Sequence, residues 1–450
     1  MSFISNLFTI ALPIILQNFL SSFVNMLDTI MVGGLGHVDI AAVGLGNQVF
    51  FVMNIMVFGA VSGGSIFISQ YWGKKDLEGI HRTTGIMLVV AMAITCFFFL
   101  VSALAPEFCI SLYSNDDEVI KKGAVYLRIV SPSFIMFGLS FAFSNAERST
   151  EHVRLPAVAT IISVVLNGIL NYVFIFGINI RGVQCIPALG IVGAAVATII
   201  SRVVEAVIVV YGAYVRKFEV AVSFKKYFTA QPDFLRKYIK VCLPVLFNET
   251  LWGVGISMQS SIFAHSGTVV IAAFNINGTI SNLLWPVCMG FGSATSIIIG
   301  KTIGQGNHDK AKSLAKILCG FNAAWGLVLG IILIPLTKTL PFFFRVEPVV
   351  IKMAAVFLTL KACSFPFDAF NMSTVVGVFR SGGDTLFAML IDVGFMWVIS
   401  IPLGWLGVLV WNLPYWGVYL VILIEPLLKM ILGLYRLFSG KWLRDVTKIE

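Results

Sequence analysis

The sequence predicts an all-α polytopic membrane protein: twelve transmembrane helices in two six-helix lobes. Three observations predict it. Apolar residues make up 58% of the 450-residue chain and charged residues only 12%, about half the charged share of a soluble protein. Residues 83–105, 155–177, 270–300, 317–337 and 393–424 contain no Asp, Glu, Lys or Arg, and each is long enough for the about 20 residues that a membrane span requires. The chain also matches itself at a fixed offset.

In chain order the spans are expected near 7–31, 42–70, 83–105, 124–146, 155–177, 188–214, 239–263, 267–300, 311–336, 350–378, 385–409 and 415–438. Gly and Pro within them suit membrane helices, whose neighbours can satisfy freed backbone groups. A β-barrel is excluded, because its strands would alternate apolar and polar residues over segments of about ten. The opening MSFISNLFTIALPIIL lacks a basic n-region and a small-residue cleavage site, so it reads as the first span and not as a signal peptide. The seven cysteines are scattered without CxxC spacing, so neither a thiolate metal site nor a Cys109–Cys185 disulfide is expected.

The net charge of +9 is topological and does not suggest nucleic acid. Loops at 71–82, 147–154, 215–240, 301–316 and 379–384, with the end from Lys429, hold 22 Lys and Arg; those on the opposite side hold 7. The positive-inside rule therefore puts both termini in the cytoplasm, in agreement with an even number of spans.

At an offset of 231 residues, Leu12-Pro13 falls on Leu243-Pro244, Ile40-Ala41-Ala42 on Ile271-Ala272-Ala273, and Gly59, Ser62, Ser65 and Gly73 on Gly290, Ser293, Ser296 and Gly304. Val119-Ile120-Lys121 falls on Val350-Ile351-Lys352, and one residue further off Arg148-Ser149 matches Arg380-Ser381. The chain thus divides into an N-terminal lobe (1–214), a basic cytoplasmic linker (215–240) and a C-terminal lobe (241–450). Each lobe has an even number of spans, so the two share one orientation, related by a pseudo-two-fold axis along the membrane normal. Parallel repeats with a binding site between them are a known transporter plan.

Ionisable residues inside a span are costly and by default mark ion paths or proton relays. Glu249 stands in LPVLFNETLWGVG, with no Lys or Arg between Lys240 and Lys301. Its repeat equivalent is Asn18, and Asn248 aligns with Gln17, so the position is polar in both lobes but charged in one. Asp28, in FVNMLDTIMVGG, reads either as a cation or proton acceptor or as an interfacial residue before the Gly33-Gly34 turn. Asp368 shares a helical face with Asn371 and could meet Glu249. Asn167 and Asn171 stand at i and i+4, where two amide oxygens could ligate a hard cation or bond to neighbouring helices. Arg202 and Glu205 are expected to neutralise each other, and Asp392, Glu425 and Lys361 to be satisfied buried groups. The 38 phenylalanines are read as lipid-facing and packing residues. No Walker A, HExxH or GxSxG pattern is present, which disfavours an enzyme or an ATP-driven pump and points to an ion gradient.

Together these residues resemble the multidrug and toxic compound extrusion (MATE) family. The resemblance rests on LPIILQNFLSSFVNMLDTIMVGGLG, on IAAVGLGNQV with its repeat IAAFNINGTI, and on GVFRSGGDT at 377–385. LNGILNYVFIFG at 166–177 and GIVGAAVAT at 190–198 look like the family's fifth and sixth helices. The resemblance implies a Na⁺- or H⁺-coupled antiporter that exports organic cations or amphiphilic drugs through a V-shaped cavity. It implies a monomer in a bacterial plasma membrane, in contact with lipid, needing no cofactor beyond the coupling ion. It matches Asp28 to the family's first-helix acid and Asn167, Asn171 and Thr198 to polar positions around it, a possible Na⁺ site at Asp28, Asn167 and Asn171. The position of Asn171 is often Asp in the family, so a site here has one less charge. Glu249 and Asp368 are expected as a second acidic pair in the C-terminal lobe. Alternatives are a lipid-linked saccharide flippase, which would need a strongly cationic cavity, an intramembrane lipid enzyme, and a passive channel.

Overall fold

The computed structural model describes the backbone of residues 3–448 other than 181–182, 229–230, 338 and 340–345, and the side chains of these except 3–4, 22–30, 178–180, 183–185 and 224. The fold is helical apart from a short hairpin of β1 (Ile178–Ile180) and β2 (Val183–Ile186). Among the described residues ten helices are long and apolar enough to cross a membrane, and a bent pair makes an eleventh. With the 31-residue α1 (Phe3–Gly33) the number reaches the twelve expected from hydropathy. Leu104 is 79% exposed and Val398 74%, as side chains facing lipid would be.

The repeat is visible in the helix boundaries. α2 (His37–Lys74), α3 (Leu77–Leu104) and α5 (Asp117–Val130) each begin 231 residues before α10 (Thr268–Gly304), α11 (His308–Leu336) and α12 (Pro348–Met372). α4 (Pro106–Ser111) is a short connector. α7 (Arg154–Phe176) likewise precedes α13 (Thr385–Phe395) by that offset.

Four expected spans are not single straight α-helices. That near 124–146 is α5 followed by α6 (Pro132–Ser149), bent by 48°. Pro132 has no N–H to continue the ladder, which localises the break. Its repeat equivalent stays continuous but passes into a π-helical stretch, Ser373–Arg380. α13 does the same through Met396–Ser400 into α14 (Ile401–Leu409). The last span is α15 (Tyr415–Ile422) plus α16 (Ile424–Ser439). The stretch between α8 (Ile191–Val215) and α9 (Pro232–His265) is shorter than expected and contains a 3-10 turn, Phe224–Phe228. There the buried Tyr227 donates from its hydroxyl to Val220 O at 2.7 Å.

The helices pack as two compact units. Unit 1 holds Met1–Ile15, Ser69–Asp76 and Pro232–Glu450; unit 2 holds Leu16–Ile68 and Leu77–Gln231. In unit 1, Leu7, Ile10, Ala11 and Ile14 bury one stripe of α1 at helical spacing, and Phe8 meets Phe291, Phe321 and Trp325 edge-on. A second cluster joins Phe263, Phe274, Phe357 and Tyr419. Cys109 is a buried free thiol, and Cys185 lies outside the described side chains.

Candidate functional site

In unit 2, α7 carries Thr160, Ser163, Asn167 and Asn171, all buried, at spacings of three and four that place them on one face. α8 presents buried Ser201 and Glu205, with Thr198 partly buried. Two contacts set the register of these helices. Ser163 Oγ donates to Ser201 O at 2.9 Å, and Gly193 lies against the Phe174 backbone so closely that a Cβ would collide with it. Between them the antiparallel register brings Thr198 level with Asn167. Asn171 Nδ2 donates to Asn167 Oδ1 at 3.1 Å, and Thr198 Oγ1 donates to Ala194 O at 3.0 Å. Asp28 is in α1, and its side chain lies outside the described residues.

One end of the same face connects to a charged pair. Gln17 Nε2 donates to Thr160 Oγ1 at 2.8 Å, and Thr160 Oγ1 donates to Glu205 Oε1 at 2.9 Å. Arg202 Nη1 donates to the other oxygen, Glu205 Oε2, at 2.8 Å. The guanidinium also sits over the Phe137 and Phe50 rings, 5.3 and 5.8 Å from their centroids. The neutralisation expected of Arg202 and Glu205 is therefore present.

In unit 1 the expected pairing of Glu249 with Asp368 is not made; each carboxylate is held by a cation of its own. Arg380 Nη2 lies 2.6 Å from Glu249 Oε1. Lys361 Nζ lies 2.8 Å from Asp368 Oδ2, which also accepts from Ser364 Oγ at 3.0 Å. Asn371, expected beside Asp368 on that face, donates instead to Pro426 O at 2.8 Å. In a low dielectric a carboxylate is stable only when paired and hydrogen-bonded, so each takes the nearest cation.

Glu249 belongs to a larger cluster. Its neighbour Asn248 donates from Nδ2 to Asp392 Oδ2 at 2.9 Å. Lys429 Nζ bridges Asp392 Oδ1 at 2.8 Å and Glu425 Oε1 at 2.6 Å. Three carboxylates, Glu249, Asp392 and Glu425, thus share two cations, Arg380 and Lys429. Among the described residues, Arg380 Nη1 and Asn248 Oδ1 are buried here without a hydrogen-bond partner. Both π-helical stretches border the cluster: one ends at Arg380, and the other starts four residues after Asp392. Such π segments recur at functional sites.

Sequence reasoning missed Arg380 and Lys429. Sequence position puts both among the cytoplasmic charges, yet both are buried. Signals were present: Arg380 occupies the repeat position of Arg148, and Lys429 follows Glu425 by four residues, the spacing of a helical ion pair. Among the described residues no group of His, Cys, Asp and Glu has the arrangement of a metal centre.

Comparison with known proteins gives one consistent likeness. The MatE family model matches residues 13–173 and again 244–406, the two copies of the repeat. A protein described as probable multidrug resistance protein NorM, from Thermotoga maritima, is 25% identical over 444 residues, covering 97% of this chain and 92% of that protein. The uncharacterized transporter YisQ of Bacillus subtilis is 25% identical over 452 residues, covering 98% and 95%. In fold, the chain is similar to a crystal structure of the Vibrio cholerae MATE transporter VcmN, with TM-score 0.88, 18% identity and coverage of 99% and 98%.

Proposed function

The chain belongs to the MatE family of multi-pass membrane transporters, and from that premise we propose a cation-coupled antiporter that exports organic cations or amphiphilic drugs by alternating access of its two halves. The coupling ion is Na⁺ or H⁺. Asp28 is the principal coupling residue, with Asn167, Asn171 and Thr198 beside it, and the Glu249 cluster supplies a second coupling group. The protein works as a monomer in a bacterial plasma membrane, with both termini cytoplasmic. The related proteins named for multidrug resistance support the substrate class.

One observation supports the coupling: among the described residues, the ion pairs made by the C-terminal half's Glu249, Asp368, Asp392 and Glu425 hold one carboxylate more than they hold cations. Glu249, Asp368, Asp392 and Glu425 stand against Lys361, Arg380 and Lys429. A carboxylate in low dielectric without a fixed counter-ion is stabilised by taking up a proton or a metal cation. A group that must load an ion to be neutral can exchange that ion for a cationic substrate.

The test is uptake of a fluorescent organic cation into inverted membrane vesicles, with a Na⁺ gradient and a pH gradient imposed separately. Wild type takes it up under one gradient, Asp28→Asn loses that uptake, and Glu249→Gln weakens it at least tenfold. If neither gradient drives any of a panel of organic cations, the antiport reading falls and lipid flipping becomes the assay.

A further inference from the structure

α2 is one unbroken helix, yet His37–Ile68 belongs to unit 2 and its last turns, from Ser69, to unit 1. There it meets the end of α10 backbone to backbone. A Cβ at Gly73 would collide with Lys301 O, one at Gly300 with Ser69 Oγ, and one at Gly304 with Gln70 O. Gly73 and Gly304 are repeat equivalents, as are Ser69 and Gly300, so matching segments of the two halves cross here. Small residues permit that approach.

The end of the chain is fastened to this crossing. Gln70, fully buried, donates from Nε2 to Ser381 O at 2.8 Å and to Arg444 O at 3.2 Å, and its Oε1 accepts from Val446 N at 2.9 Å. One amide thus engages two separate stretches of backbone. Arg444 N donates to Gly382 O at 2.7 Å. Trp442, fully buried, packs on Gly382, and Val446 packs on Gly383, whose φ of +76° suits glycine. Lys74 Nζ, at the last residue of α2, pairs with Asp445 at 3.1 Å. Burial pushes the Asp445 carboxyl up, but hydrogen bonds from Thr447 and the Lys74 ammonium outweigh it and hold the group below the ordinary carboxylate range. Asp384 accepts from Arg436 and pairs with Arg444, which anchors the tail at its base.

We propose that residues 442–446 are a conformational latch, which grips Gln70 and Lys74 to hold the end of α2 on α10 in the conformation described here and releases them once in each transport cycle. The proposal rests on the alternating-access reading for its role in the cycle. A tail serving only local structure would need no tie to a helix end whose remainder packs in the other unit. The tie is polar and reversible: two hydrogen bonds from Gln70 to residues 444 and 446 and the Lys74–Asp445 ion pair, which water can replace when the crossing opens.

The experiment uses full-length protein in membrane vesicles carrying Ser69→Cys, a nearly isosteric change at the buried crossing. The rate of modification by a small polar maleimide is read at residue 69 by peptide mass, without substrate or gradient. Adding Gln70→Leu is expected to raise that rate about tenfold, and so is ending the chain at Arg444. Because both break one latch, the two together give no more than either alone. An unchanged rate in either chain, or effects that multiply in the combination, overturns the latch. Faster labelling in a protein that no gradient drives would leave the latch standing and sink the antiport reading instead.

Discussion

The two halves of the repeat use the same helix position differently. Gln17 and Asn248 are equivalent, and each donates its amide across to a neighbouring helix. In the N-terminal half the acceptor is the neutral Thr160, which leads to one carboxylate, Glu205, neutralised by one cation, Arg202. In the C-terminal half the acceptor is itself a carboxylate, Asp392, in a cluster of three acids and two bases. The arginine equivalents diverge as well. Arg148 turns its Nε to Ser144 O of its own helix, whereas Arg380 reaches Glu249 on α9. Duplication preserved helix ends and polar positions, because packing constrains those. Charge was free to diverge, because a buried charge needs only some partner, not a particular one.

The largest expected effect tests that divergence directly. Arg380→Met leaves Glu249 as a buried carboxylate without its cation and should cost about 3–5 kcal/mol of stability. Arg202→Met should cost less, about 1–2 kcal/mol, because Glu205 keeps the Thr160 hydrogen bond and the Arg202 side chain is 30% exposed. Arg380→Met with Glu249→Gln should recover most of the loss. Thermal unfolding in detergent, with the four proteins side by side, reads this. Equal losses for the two arginine variants would break the comparison.

How much of this was legible follows from the range over which each signal acts. Helix number and the repeat were readable because hydropathy and a constant offset accumulate over tens of residues. That Asn167 and Asn171 share a face was readable, because a spacing of four has one geometric meaning on a helix; their bond is to each other and not to a neighbouring helix. Arg380 and Lys429 were misread because a basic residue near a helix end looks like a loop charge whether it faces water or a buried acid. Gln70 and Trp442–Val446 gave no signal, since their meaning depends on a contact across more than 300 residues. Asp28 stood out in the sequence, but its side chain lies outside the described residues.

A second contrast exchanges bulk between the halves. In the N-terminal half Thr95 on α3 faces Gly138 on α6; at the equivalent contact Gly326 on α11 faces Ala369 on α12. A Cβ at Gly138 would come within 2.7 Å of Thr95 Cγ2, and one at Gly326 within 2.7 Å of Ala369 Cβ. Gly138→Ala should therefore overpack the contact and cost about 1–3 kcal/mol. Adding Thr95→Gly rebuilds the arrangement of the other half and should restore most of it, read as a return of the unfolding midpoint. If Thr95→Gly deepens the loss instead, the two contacts are not interchangeable, and the halves pack by different rules.

The smallest effect, that of Gln17→Leu, returns to the position where the halves diverge. Gln17→Leu and Asn248→Leu each delete one hydrogen bond from the same repeat position. Thr160 loses an incoming donor but keeps its own bond to Glu205, so Gln17→Leu should cost about 0.5–1 kcal/mol. Asn248→Leu removes a donor from a charged acceptor in a cluster already short of positive charge, and should cost about 1.5–3 kcal/mol. The ratio matters more than either value, because both variants replace an amide with the same apolar residue in the same kind of helix. A ratio near two or above, measured as the difference in unfolding midpoints, means that charge and not packing separates the halves. A ratio near one would mean that Lys429 alone satisfies Asp392, and that the surplus acid of the C-terminal half lies at Glu249 or Glu425.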